Sequence, residues 1–516
     1  MKIKNIFGSL AVAAFAMTAV SCSEDTMDRI NVDNAHPGAS TVSAKFQITD
    51  AIVSSVFSTN CGALAWYVSI YTEQTFGTGN NQAKNAELRN ANETAASSTF
   101  NNEWNSTYLN LNNIKQMIEK CEEGGLNEGQ LDIKGIAEVL AAYNWGIMTD
   151  LFGDIPYSEF AVEGISSPKI DSQQDIYTGI LGYLDSAISD LSNASGDNTD
   201  GQDLLYNGSS KKWLALAHAL KARYLLHEMG RADNLNTQLQ NVVSEANAAI
   251  EAGFASADLD IFTGYSTGST NPWTAYWLSR DYIGSTTTVD NLMKARNYPF
   301  EEYYNSDLYD KNVLATPGDE DMAVATETCN APYWLYYGYK NSVAAHMFSE
   351  SELYFILAEA KARLGLDAKA DFETAVKASL KDIATSCGVN ITDKDAEDYV
   401  NFDNLTNTYL TDKTATMYAA DPLSEILVQK YLAQSRDEQL ETYNDMRRCK
   451  YVDGSYPVTM TNPKNTQSVG NRWPLRLPYG SSDVLSNPNV ASAFGSGNNA
   501  GMYIFTENVW WAGGSR

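Results

Sequence analysis

Two stretches hold aromatic rings at a density that recognition chemistry can use. Trp273, Tyr276 and Trp277 lie in NPWTAYWLSRDY, and Tyr333, Trp334, Tyr336 and Tyr337 in APYWLYYGYK. A sugar ring has one apolar face of C–H groups that stacks on an aromatic plane, while Asn, Arg and acidic side chains take its hydroxyls. In extended backbone alternate residues share a face, so Trp334 and Tyr336 can turn toward a ligand together. Satellite core beneath long loops is the alternative for any single ring. Trp66, Tyr67 and Tyr71 form a third group before TFGTGNN at 75–81. Trp66 and Tyr67 fit a helix core more readily than a ligand face, and Trp104, at the start of an apolar helix, reads as core.

Other patterns invite catalysis or metal binding and fail on spacing. Gly264 to Gly268, GYSTG, matches GxSxG, but a nucleophile elbow must feed a helix at once and TGSTNPW cannot start one. His218 and His227 stand nine positions apart on nearly opposite faces of one helix, so they cannot share a metal and read as packing residues. Acidic clusters at Asp319-Glu320-Asp321 and at Asp393, Asp395, Glu397 and Asp398 could hold calcium through hard oxygen ligands. The second lacks the glycine and terminal glutamate of an EF-hand loop, and solvated loops fit both better. No motif nominates the paired carboxylates of a glycosidase, so no catalytic residue is assigned.

Helices must carry these loops. Ile133, Ile136, Leu140, Tyr143, Ile147 and Leu151 recur every three or four residues, an apolar stripe that predicts a helix ending near Gly153. The same period runs through Ile176 to Leu191 and through Trp213 to Tyr224, the latter stopping at Gly230. A further helix is expected from Asn236 to Gly253, and two more from Ser349 onward, broken at Gly365. Helix pairs joined by short turns are the unit of an α-solenoid, and ALKARYLL at 219–226 loosely echoes AEAKARLG at 358–365. Between these blocks, from about Gly264 to Met347, lies an excursion rich in aromatic, Gly, Ser and Asn residues. The tail from Tyr451 is irregular too.

The chain has 516 residues, 44% hydrophobic, enough for a large core. Its net charge of −28 argues against nucleic acid as a partner. Residues 1–21 read as a secretory leader, with Lys2 and Lys4, an apolar core from Leu10 to Ala19, then small residues. That core is too short to span a bilayer, and no later stretch is expected to. Ala19 and Ser21 before Cys22 resemble a bacterial lipobox, which implies acylation of Cys22 and attachment to membrane lipid. Ser23-Glu24-Asp25 resembles the acidic signal that sends some lipoproteins to the cell exterior. Residues 22–40 then read as the lipidated N-terminus and a leash, and 41–516 as a single ligand-binding domain. Cys61, Cys121, Cys329, Cys387 and Cys449 have no paired spacing, so most are expected to be buried small hydrophobes.

YNWGIMTDLFGDIPYSEF (143–160) resembles the signature of SusD/RagB-like nutrient-binding outer-membrane lipoproteins, in the subgroup related to starch-binding SusD. NPWTAYWLSRDYIGSTTTVDNLMKA (271–295), EILVQKYLAQSRDEQLETYNDMRRCKY (425–451) and NRWPLRLPYGSSDVLSNPNV (471–490) agree, in the family's order. The resemblance implies a mainly α fold of tetratricopeptide-like helix pairs with large irregular loops forming a shallow ligand face. It also implies a SusC-like TonB-dependent transporter as partner and an oligosaccharide, or in RagB-like members a peptide, as ligand. N-terminal loops join the ligand face in such proteins, which adds Tyr71 to the candidate binding residues Trp273, Tyr276, Trp277, Tyr333, Trp334, Tyr336 and Tyr337. After Ala295 this chain reads RNYPFEEYY where relatives often read Asp-Pro-Arg, so ligand identity does not transfer. Asp150, Asp154 and Tyr157 are expected to be structural, with Gly153 and Pro156 making the corner.

Overall fold

The computed structural model describes residues 41–78, 81–264, 269–273, 275, 283–304, 314–318, 342–435, 437–461 and 472–516. Cys22, the leader and the leash lie outside these residues. The frame consists of α1 (Lys45–Thr59), α2 (Ala63–Tyr71), α3 (Asn101–Cys121), α4 (Leu131–Phe152), α5 (Gln173–Asn193), α6 (Ser210–His227) and α7 (Leu235–Glu251). It continues with α8 (Thr287–Arg296), α9 (Glu350–Arg363), α10 (Lys369–Ser386), α11 (Pro422–Ala433) and α12 (Gln439–Val452). Neighbours in sequence pack as neighbours in space: α3 on α4, α4 on α5, α5 on α6, α6 on α7, and α9 on α10, with α7 joining the two halves through α9. This is the stacking of an α-solenoid made of tetratricopeptide-like pairs. The echoing segments lie on α6 and α9, each of which leads such a pair.

Side-chain oxygens start these helices where the chain must turn. Ser172, Ser209, Asn234 and Ser349 each accept a hydrogen bond from the backbone N–H three residues on. Each such cap stabilises by about 1 kcal/mol. Helix α4 lies at the centre, with nearly every side chain buried. Gly146 lets α6 come close: a Cβ there would sit 2.2 Å from the Tyr224 hydroxyl. Gly153 ends α4 with φ of 76°, a backbone state open essentially to glycine, and Pro156 follows in the two-residue ladder of β2 (Ile155–Pro156) with β3 (Ile170–Asp171). Most buried apolar side chains from Ala44 to Ala512 form one contiguous cluster, with Phe76 and Ala315 packed separately.

The structure departs from the sequence expectation in three places. Helix α6 ends at His227 and tightens into a 3₁₀ turn over Glu228–Arg231, so Gly230 lies inside the turn rather than stopping an α-helix. Lys45–Tyr71, 27 residues, is apolar and helical enough by composition to cross a membrane. It is broken between Asn60 and Gly62 into α1, which buries one face, and α2, which is largely buried in the core. The aromatic-rich excursion is also not wholly irregular, because α8 lies within it. Cys61, Cys121, Cys387 and Cys449 are buried free thiols, as expected, while Cys329 lies outside the described residues.

Candidate functional site

The loops expected to carry ligand recognition are anchored where α2 ends. Glu73 adopts a left-handed φ of 60°, which turns the chain and aims its backbone and side chain at three other segments. Its carbonyl accepts from the Thr286 hydroxyl at 2.7 Å, and its carboxylate accepts from the Thr288 hydroxyl and from Thr461 N–H, the latter at 2.7 Å. Beside it Phe76–Gly77 (β1) pairs with Ile283–Gly284 (β4), and the Tyr304 hydroxyl donates to the Gln74 carbonyl at 2.9 Å. Glu87 clasps two further loops, accepting from Gly77 N–H at 3.2 Å and Gly318 N–H at 2.6 Å. Burial pushes its carboxyl up to about 7, against the pull of Arg89 and these N–H groups. Segments distant in sequence thus converge on one rigid seat.

The predicted ligand-facing rings divide sharply. Trp273 is 2% exposed: its indole N–H donates to the Asn60 carbonyl at 2.9 Å and its ring meets Trp66 edge-on at 6.5 Å. The carbonyl at the C-terminal end of α1 lacks a helical partner, and Trp273 supplies one. Tyr71 is fully buried, with the Arg89 guanidinium 4.9 Å over its ring and Tyr67 and Tyr443 against its edges. It lies at the end of α2, on the side packed against α12. The expectation of ligand-facing rings at Trp273 and Tyr71 is therefore corrected: both are interior supports of the loop face. Tyr276, Trp277, Tyr333, Trp334, Tyr336 and Tyr337 lie outside the described residues. Tyr67 and Trp104 are buried and Trp66 half-buried, in keeping with core roles.

Beneath the seat, charge is buried on a scale the sequence reading missed. Asp150 accepts from the Tyr177 hydroxyl and from the Trp511 indole at 2.8 Å, and approaches His227 Nδ1 at 3.1 Å. His227 Nε2 reaches Glu441 at 2.8 Å, and Arg223 forms a two-point pair with Glu352. On the same side Arg448 is paired with Glu359 at 2.6 and 2.9 Å and with Asp445 at 2.6 Å, and Lys430 with Asp445 at 2.7 Å. Glu441, Asp445 and Arg448 recur at helical spacing on α12, which is the signal that could have revealed this belt. It ties α12 to α6, α9 and α11.

Asp150, His227 and Glu441 lie close enough to be weighed as metal ligands. Both ring nitrogens of His227 face a carboxylate, whereas a metal takes one nitrogen, so the geometry is that of an imidazolium held between two acids. Burial lowers the affinity of His227 for its proton, but Glu441 and Asp150 outweigh it and lift the pKa to about 9. His227 is thus an ion-network residue rather than plain packing. His218 pairs separately with Glu245 at 2.6 Å. The expected structural roles hold for Asp154, which accepts from Gln173 N–H at 2.8 Å, and for Tyr157, whose ring packs on Trp145 at 4.8 Å. Asp393, Asp395, Glu397 and Asp398 are exposed around the Asn390 turn, while 319–321 and Ser266 lie outside the described residues.

A family model described as "Starch-binding associating with outer membrane" (SusD-like_2) matches residues 43–479. The fold is similar to a SusD/RagB family protein from Bacteroides thetaiotaomicron, 34% identical, with a TM-score of 0.81, covering 92% of this chain and 100% of that one. It is also similar to a SusD homologue from Bacteroides fragilis, at 19% identity, TM-score 0.65 and coverage of 92% and 100%. A chitin-binding SusD homologue from Flavobacterium johnsoniae matches at 18% identity, TM-score 0.60 and coverage of 90% and 98%. No curated protein matches. A helix-pair scaffold and a family match across most of the length together place this chain in the SusD-like family of nutrient-binding, outer-membrane-associated proteins.

Proposed function

We propose that this protein is a cell-surface lipoprotein that captures an oligosaccharide and passes it to a SusC-like TonB-dependent transporter. The observation that carries the reading is the family match over residues 43–479, joined to a helical seat that anchors Thr286 and Gly318 beside the aromatic-rich stretches of the sequence. Two solved relatives described as chitin-binding share the fold, which favours a sugar over a peptide. Flat rings at Tyr276, Trp277, Tyr333, Trp334, Tyr336 and Tyr337 supply stacking surfaces for sugar C–H faces, and Cys22 supplies the acyl anchor.

Intrinsic tryptophan fluorescence of the full chain, titrated with oligosaccharide and peptide panels, tests this reading. A saturable response to a sugar that is recovered intact supports it. A response only to peptides transfers the protein to the peptide-capturing branch, and cleavage of the sugar contradicts the binding role.

A further inference from the structure

We infer that the groove around Arg472 is a subsite for an acidic sugar unit, bearing a carboxylate or a sulfate, of the captured glycan; this rests on the glycan-capture reading above. Two cavities, of about 600 and about 640 Å³, share Arg472, Phe494, Asn499 and Met502 and so form one continuous groove. Its apolar floor is Met502 and Phe505, and Arg472 lies over the Phe505 ring at 5.3 Å. Exposed amides of Asn92, Asn498 and Asn499 border it, with the donors and acceptors that sugar hydroxyls require.

Charge points to the acidic unit. In a chain of net charge −28, the lining of this groove carries two arginines, Arg472 and Arg516, against one acid, Glu507. Arg516 already holds Glu507 at 2.6 Å and stacks on Tyr503 at 5.1 Å. Among the described residues Arg472 has no carboxylate partner. A half-buried guanidinium, stacked on one face and free at its edge, presents a planar fork of donors that matches a carboxylate or sulfate. The stack holds the fork still, so little side-chain entropy is lost when the anion arrives.

The test is calorimetric titration of the full chain with a uronate-containing oligosaccharide, a sulfated one and a carboxyl-reduced neutral counterpart. We expect one acidic form to bind at least about 10-fold more tightly than the neutral one, with salt weakening only the acidic binding. Arg472→Gln should weaken the acidic sugar by about 10- to 100-fold, the range of a charge-assisted pair, and leave the neutral one within about 2-fold. Arg472→Lys should recover part of the loss, since a point charge replaces the fork. Equal, salt-independent binding of acidic and neutral forms by the unaltered chain would overturn the inference while leaving glycan capture intact. Absence of binding to every sugar would overturn both.

Discussion

Raising the pH through 9 should loosen the fold at one identifiable place. His227 lies between Asp150 and Glu441, and its pKa is about 9 against 6.5 for a free imidazole. Arg223, 3.7 Å from Glu441, and Arg447, on the Asp150 carbonyl, also face this cluster. Because the folded pKa exceeds the unfolded one, the imidazolium contributes its full stabilisation below about pH 6.5. That contribution disappears as the pH climbs through about 9. At about 1.4 kcal/mol per pH unit the gap amounts to about 3 kcal/mol. Urea unfolding, followed by tryptophan fluorescence from pH 6 to 10, reads this when the native chain is compared with His227→Gln. The variant should be less stable at pH 6, and the difference should shrink by about 3 kcal/mol by pH 10. A difference that stays constant over that range would refute the imidazolium reading.

Trp273→Ala should lower stability by about 3–5 kcal/mol in urea unfolding, as loss of a buried indole does, rather than act as a clean binding mutant. Trp334→Ala, by contrast, should leave the unfolding midpoint unchanged and weaken sugar binding by about 1–2 kcal/mol in the fluorescence titration. Gly146→Ala should destabilise by about 1–3 kcal/mol, because its Cβ meets the ring of Tyr224, a residue held inside the core. Unchanged unfolding of that variant would mean that α4 and α6 are not in close contact.

The helical scaffold was legible because its signal is local. A stripe such as Ile133 to Leu151 reports both the helix and its buried face, and Gly153 with Pro156 reports where the chain must turn. The signature corner followed, with Asp154 and Tyr157 in structural positions. The rings were harder to read, because burial is decided by partners far away in sequence. Nothing in NPW announces that Trp273 will satisfy the Asn60 carbonyl, and nothing near Tyr71 announces that Arg89 will cover its ring. The buried charges were missed for a related reason. Glu441 and Arg448 resemble ordinary surface residues until His227 and Glu359 are brought against them by the packing of α6 and α9 on α12. The stretch from Glu350 to Arg363 likewise buries Glu352 and Glu359, where a simple amphipathic reading would expose them.

A binding protein of this kind must capture its sugar without converting it. Equilibrium dialysis of the full chain against a labelled oligosaccharide, with chromatography of both compartments, tests it most directly. Saturable retention of one bound sugar population that elutes unchanged is expected. No retention of any glycan, or recovery of shortened products, would contradict it.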